Sequence, residues 1–181
     1  MITLLYPIAL MQAAPASAPE SEAPPPPPPA PSPCASEAHN GFDMWVGEWD
    51  VYPNGQDQQV ATSRIERLSG GCAIRETWMP FQGAGGTSIS LYNTVSGRWE
   101  QMWVGSDGRQ VDFSGGVVVG KMVLTGYWDD VVGPDKDALV RMTYSPQEGG
   151  AVRQFGEASL DNGLTWQSFF DFLYRPQSNT E

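Results

Sequence analysis

The sequence predicts an all-β domain: a single antiparallel up-and-down barrel of about ten strands with little helix. Three observations lead there. From Met44 onward, turn signals interrupt the chain every 8–14 residues, the spacing of short strands joined by hairpins. Between them no apolar pattern with a period of about 3.6 residues persists, so helices should be few. The strand-like segments also carry apolar and polar residues on both faces. A barrel around a mixed cavity produces that pattern, whereas a two-sheet sandwich leaves one drier face per strand.

Taken in order, Asn40 to Trp45 reads as one helical turn with Asn40 as its cap. The turn signals that follow are Pro53-Asn54-Gly55, Ser69-Gly70-Gly71, Gly83-Ala84-Gly85-Gly86, Ser96-Gly97, Asp107-Gly108, Gly115-Gly116, Gly133-Pro134, Gly149-Gly150 and Asn162-Gly163. They bound ten β-rich segments: Met44–Tyr52, Val60–Leu68, Cys72–Met79, Gly86–Asn93, Arg98–Gly105, Gln110–Ser114, Lys121–Trp128, Ala138–Ser145, Val152–Ser159 and Thr165–Arg175. Sequential hairpin turns favour up-and-down order. Cys72, Ile74, Glu76 and Trp78 share one face of the third segment. On the fifth, Arg98, Glu100, Met102 and Val104 share one face, and Trp99, Gln101 and Trp103 the other. The pattern leaves open which face turns inward, and a slip of one residue exchanges every lining candidate for its neighbour.

The chain has 181 residues, of which the first 40 hold 11 of the 16 prolines and no Lys or Arg. Met1 to Met11 is an apolar run followed by Ala13, Ala14, Ala16, Ser17 and Ala18. An apolar core of about 7–15 residues before small residues is the pattern of a secretory signal. Residues 1–14 are therefore expected to be a signal peptide cut near Ala13 or Ala14, although no basic residue precedes the run; the alternative is an apolar tail. Residues 15–40 read as a disordered proline-rich linker. Its run Pro24–Pro29 favours extended polyproline II, because proline lacks an N–H and fixes φ. Residues 41–181 form the barrel domain, expected in the periplasm or secreted. In such a compartment Cys34 and Cys72, the two cysteines, are candidates for a disulfide. A loop of that size stabilises by roughly 3–4 kcal/mol. The alternative is a buried thiol at Cys72 and an exposed one at Cys34.

Acidic residues number 21 and basic ones 10, a net charge of −11. This argues against nucleic-acid binding, which needs clustered positive charge, and against docking on anionic lipid. No apolar run approaches about 18 residues, so no helix is expected to span a membrane. Two cysteines and the lone His39 do not make a four-ligand zinc site, so no metal is expected.

Two elements carry a family resemblance. Gly47-Glu48-Trp49 lies on the first strand and Tyr174-Arg175 ends the last. The pair resembles the lipocalin-like (calycin) superfamily, in which a Gly-x-Trp packs under a cation from the last strand and closes the barrel. The resemblance implies that Gly47, Trp49 and Arg175 form that closure, with Arg175 over the Trp49 indole, a contact worth about 0.5–2 kcal/mol. More closely, Phe42–Tyr52, Ile65-Glu66, Gly71-Cys72-Ala73, Arg75–Trp78, Gly97-Arg98-Trp99, Val152-Arg153-Gln154, Glu157 and Asp161–Trp166 resemble a family of uncharacterised exported bacterial proteins in that superfamily. This covers residues 41–175, supports the fold and brings no activity. The related nitrobindin-type barrels bind haem through a histidine late in the chain. No histidine follows His39 here, so the haem ligand is not carried over and no cofactor is expected.

Ser159–Trp166 also fits the Asp-box of sialidase propellers, Ser-x-Asp-x-Gly-x-Thr-Trp. It occurs once and without a blade-length repeat, so a turn-stabilising role for Asp161, Gly163 and Trp166 is expected rather than sialidase chemistry.

His39 falls outside the predicted domain, which removes Ser-His-Asp and Cys-His catalysis. The glycine pairs sit in hairpins rather than before helices, so no phosphate cradle is present. Carboxylate, tyrosine and arginine chemistry remains, with Glu66, Glu76, Glu100, Glu157, Asp112, Tyr92, Tyr144, Arg75, Arg141 and Arg153 as its carriers. Charged residues on strands are commonly exposed cross-strand pairs. The aromatic content, 11%, suits an apolar pocket with a few polar anchors. The expected cavity residues are Glu76, Trp78, Tyr92, Glu100, Trp103, Arg141, Arg153 and Glu157. The leading expectation is a barrel that binds a small, partly apolar molecule in its interior. The alternatives are a cofactor-independent enzyme using cavity Glu and Tyr, and an envelope interaction module whose barrel is filled by side chains. Oligomeric state leaves no signal in the sequence.

Overall fold

A computed structural model describes residues 33–178. The expected signal peptide and linker residues 15–32 lie outside the described residues. Ten strands follow one another: β1 Gly47–Pro53, β2 Ala61–Leu68, β3 Ala73–Pro80, β4 Gly86–Asn93, β5 Arg98–Gly105, β6 Gln110–Val118, β7 Lys121–Trp128, β8 Ala138–Pro146, β9 Val152–Ser159 and β10 Gln167–Pro176. Each strand pairs antiparallel with its neighbours in sequence, and β10 pairs with β1 to close the barrel. Among the described residues no helix is long and apolar enough to cross a membrane.

Closure makes strand parity decisive, since alternate side chains point to the interior. The inward set includes Trp49 and Val51 of β1, Ile74, Glu76 and Trp78 of β3, Trp99, Gln101 and Trp103 of β5, and Met122 and Leu124 of β7. On β8 and β9, Val140, Met142, Tyr144, Val152 and Gln154 are buried.

Three boundaries differ from expectation by two residues or more. β1 begins at Gly47, not Met44, because Asp43–Trp45 is a 3₁₀ turn. That turn has no side-chain cap, so Asn40 does not start it; Asn40 instead ends a separate turn, Glu37–Asn40. β6 runs through Gly115-Gly116, the expected turn, and reverses at Val119-Gly120. Glycine there serves close approach: a Cβ at Gly115 would overlap the Val123 carbonyl on β7. β10 starts at Gln167 and carries a register shift between Ser168 and Phe170.

Residues on both sides of the expected linker boundary at residue 41 enter the barrel end. Phe42 and Trp45 are fully buried. Phe42 packs edge-on to Trp99 of β5 and Tyr144 of β8, while Trp45 meets Tyr144 and Tyr174 of β10. Contacts to strands on different sides of the barrel show that this segment lies across its end as a plug. His39 is buried against Tyr92 of β4 and joined to the Ser36 hydroxyl at 2.7 Å, so the folded unit begins before the expected boundary at residue 41. The Trp99 indole N–H donates to the Ala38 carbonyl at 3.1 Å. Gly41 is needed for the fit, because a Cβ there would lie 2.7 Å from Trp99 Nε1 and 3.0 Å from Met122 Cε. A disulfide joins Cys34 to Cys72 in the β2–β3 connection and anchors the plug.

The calycin-type closure takes a different form. Trp49 is buried edge-on to Tyr174, and its indole N–H donates to the Trp45 carbonyl at 2.9 Å. Arg175 does not cover it. Arg175 faces outward on β10 and lies over the Tyr52 ring at 4.2 Å, near Asp57 at 3.6 Å. Parity explains the difference: Tyr174 takes the inward position, so its neighbour points out. Gly47 opens β1 beside the Trp49 ring.

The β9–β10 turn is held by side chains. Asp161 accepts from the Thr165 backbone N–H at 2.8 Å, the Thr165 hydroxyl at 2.6 Å and the Ser159 hydroxyl at 2.7 Å. Asn162 and Gly163 adopt φ of 57° and 90°, and the Trp166 N–H donates to the Gly163 carbonyl at 3.1 Å. The Thr165 bonds are the main cause holding the Asp161 carboxyl down at about 2. Asp161→Ala should lower the midpoint of thermal unfolding by several degrees at neutral pH. A carboxyl depressed in the fold contributes above its ordinary value of 3.8 and loses that contribution as pH falls through about 2. Thermal scans of both proteins should therefore converge only at the acid extreme; an equal difference at every pH would refute the assignment.

Candidate functional site

The antiparallel order places the connections after β1, β3, β5, β7 and β9 at one end of the barrel and the plug at the other. Between them lies a cavity of about 280 Å³. Its wall is Trp78, Trp103, Phe113, Trp128, Phe169, Phe170 and Phe172, and its inner end is Glu76, Gln101, Met142, Tyr144, Gln154 and Tyr174. The register shift in β10 brings the adjacent residues Phe169 and Phe170 both onto this wall, as a bulge does. Trp78 and Trp103 are part-buried and Phe169 is exposed, whereas Glu76 and the two tyrosines are buried. The cavity therefore reaches solvent on its aromatic side and is blind at its polar end.

Glu76 is the centre of the polar end. The Ser63 hydroxyl donates to Oε1 and the Ser88 hydroxyl to Oε2, each at 3.2 Å. Ser88 is the β4 residue directly opposite Glu76. The Tyr174 hydroxyl lies 3.4 Å from Oε1 and donates to Gln154 Oε1 at 2.7 Å. Gln154 Nε2 in turn donates to the Tyr144 hydroxyl at 3.0 Å, and Gln101 Nε2 to the Ser90 hydroxyl at 3.0 Å. Burial pushes the Glu76 carboxyl up from 4.5 to about 7, with the three hydroxyls opposing. Burial, then the Glu76 charge, raises both Tyr144 and Tyr174, so both stay neutral hydroxyls. The indole N–H of Trp128 on the wall is buried with no protein partner.

Of the expected cavity residues, Glu76, Trp78 and Trp103 line this space. Tyr92 turns inward but belongs to the closed end, against His39 and Trp99. The other four are not on it. Glu100 faces outward and accepts from Asn93 at 3.0 Å and Ser96 at 3.1 Å. Arg141 pairs with Glu157 at 2.8 Å and lies over Trp166 at 4.1 Å. Arg153 makes a two-pronged pair with Asp171, both bonds 2.7 Å, which holds Asp171 below its ordinary range. These are cross-strand pairs on the outer surface, as is Glu66 with Arg75 at 2.6 Å. Charges that water or a partner can satisfy stay outside, and parity leaves Glu76 as the exception.

The sequence reading did not select Gln101, Gln154, Tyr174 and the β10 phenylalanines for the cavity. Alternation from Trp99 and Trp103 puts Gln101 on the same face, but nothing local marks that face as inward. A second hollow of about 450 Å³ is bounded mainly by outward residues, among them Leu91, Glu100, Met102 and Asp112. It is a surface groove, and the smaller interior space is the better site because only it has a buried polar end. No protein-family model matches this sequence, and no curated protein matches it.

Proposed function

We propose that the protein binds a small, partly apolar molecule inside its barrel, as an exported member of the calycin-type barrels. The observation that carries this reading is the solvent-reaching cavity of about 280 Å³, aromatic on its wall and polar at its blind end. That volume is near the lower end of the roughly 300–1,000 Å³ of small-molecule pockets. It counts against a barrel filled by its own side chains. The unpartnered Trp128 N–H gives a ligand one donor on the wall. The disulfide suits an oxidising compartment and supports export.

The test is binding of the neutral apolar dye prodan, followed by energy transfer from tryptophan. Saturable binding is expected, weakened about tenfold in Trp103→Ala, as loss of an aromatic anchor should do. Native mass spectrometry of the exported protein adds the natural ligand's mass. No dye binding and no retained mass would sink the reading.

A second reading is favoured by one feature. A carboxyl raised to about 7 beside a tyrosine hydroxyl suits a general acid or base in a cofactor-independent enzyme. Turnover of a retained ligand, abolished in Glu76→Gln, would favour it over simple binding.

A further inference from the structure

We propose that the molecule taken by this cavity is an organic amine, with a flat apolar body against the aromatic wall and its ammonium group on Glu76. The inference rests on the interior-binding reading and names the ligand class.

Three independent observations point to a cation. The first is the charge inventory of the interior. Glu76 is the one carboxylic acid among the cavity residues, and no Lys, Arg or His joins it there. The groups facing it are Ser63 from β2, Ser88 from β4, Gln101 from β5, Tyr144 from β8, Gln154 from β9 and Tyr174 from β10. None of them is positive. The other inward charge, Arg67, is neutralised by Asp43 at the plugged end. An anionic ligand would set a second negative charge beside a buried carboxylate, whereas an ammonium supplies the counter-charge the site lacks.

The second observation is the wall. Indole and phenyl faces attract cations through their quadrupole, and Trp78, Trp103 and Trp128 all border the space. A cation can therefore pass along this wall to the polar end without meeting a repulsive group.

The third is the rim. The five connections at the open end carry seven aspartates, four of them on the β7–β8 loop (Asp129, Asp130, Asp135 and Asp137), against only Arg109 and Lys136. The four connections at the plugged end carry one acid, Glu148, and the plug itself carries two, Glu37 and Asp43, the second paired with Arg67. The field is thus negative where a ligand enters, which concentrates cations and repels anions.

Binding involves a proton. Near neutral pH part of Glu76 is a carboxylic acid. When an ammonium ion docks, that acid releases its proton to solvent, and the carboxylate and the ammonium form the pair. The nitrogen keeps all its hydrogens and no covalent bond to carbon changes.

The experiment is calorimetric titration of the oxidised full chain with three probes of one skeleton: naphthylmethylammonium, neutral naphthylmethanol and anionic naphthoate. The ammonium is expected to bind at least about tenfold more tightly than the alcohol, with naphthoate weakest. Its affinity should fall by at least about tenfold from pH 8 to pH 5, since the amine stays charged while Glu76 takes up its proton. Glu76→Gln should abolish the preference for the ammonium over the alcohol. Glu100→Gln, on the outer surface, should keep it. The pH series on the wild type needs no variant, so misfolding of Glu76→Gln would not rescue the proposal. Equal binding of alcohol and ammonium, or a preference for naphthoate, would overturn the amine assignment and leave interior binding standing. If none of the three binds, the amine assignment falls, and interior binding falls with it if prodan also fails to bind and no mass is retained.

Discussion

Trp45→Ala is expected to remove about 3–5 kcal/mol of stability, the range for deleting a buried tryptophan side chain. Trp45 is fully buried, with ring centroids 4.7 Å from Tyr144 and 5.8 Å from Tyr174. It precedes β1, and its buried indole N–H has no hydrogen-bond partner, so the side chain contributes packing between the plug and the polar end of the cavity. The void left there would lie against Tyr144 and Tyr174, and water entering it would reach the Glu76 cluster from the closed side. Denaturant unfolding followed by near-ultraviolet circular dichroism measures the loss. A change below about 0.5 kcal/mol, the size of an ordinary surface substitution, would mean that residues 33–46 lie on the barrel rather than in its end.

Glu76→Gln should act in the opposite direction, and only above mildly acidic pH. In the folded chain the carboxyl titrates at about 7, against 4.5 when exposed. Between those values the folded state holds more protons than the unfolded state, so stability falls as pH rises. The stabilising effect of the raised value is fully present below 4.5 and is lost as pH passes through about 7. The difference amounts to roughly 3 kcal/mol. Glutamine carries no charge to desolvate and keeps donors and acceptors for Ser63, Ser88 and Tyr174. The variant should match the wild type within about 1 kcal/mol near pH 4 and exceed it by up to about 3 kcal/mol at pH 8. Parallel stability curves from pH 4 to 8 would show that Glu76 is not desolvated as described. A carboxylate that lowers stability at neutral pH, at the blind end of a cavity, is the kind of group that binding and catalytic sites hold.

The strands were legible because their signals are local. Asn93, Ser96-Gly97, Asp161 and Asn162-Gly163 specify turns within a few residues, and alternation between turns specifies strands. The plug was not legible. Phe42 and Trp45 read as a single helical turn running into the first strand, and nothing near them says that their partners are Trp99, Tyr144 and Tyr174, far along the chain. The same limit misplaced Arg141, Arg153, Glu157 and Glu100 in the cavity. Their residue types suit a polar pocket, but their cross-strand partners, Glu157, Asp171, Arg141 and the Asn93 turn, are equally good reasons to face water. Arg175 followed the motif in sequence and not in space, because Tyr174 took the inward position.

By itself the sequence determined the all-β class, the number of strands, their order around the barrel and the pairing capacity of Cys34 and Cys72. Hairpin connectivity leaves few ways to arrange ten consecutive antiparallel strands, and local chemistry fixes each turn. The tertiary structure alone decided which face of each strand is the inside, and with it which charge is buried. Two residues apart on a strand are on the same face and one apart are on opposite faces, so Glu76 and Glu100 differ only in parity. Closure of β10 on β1 and insertion of the plug set that parity. They left one carboxylate within the aromatic cavity and the rest of the barrel's carboxylates at its surface or its ends.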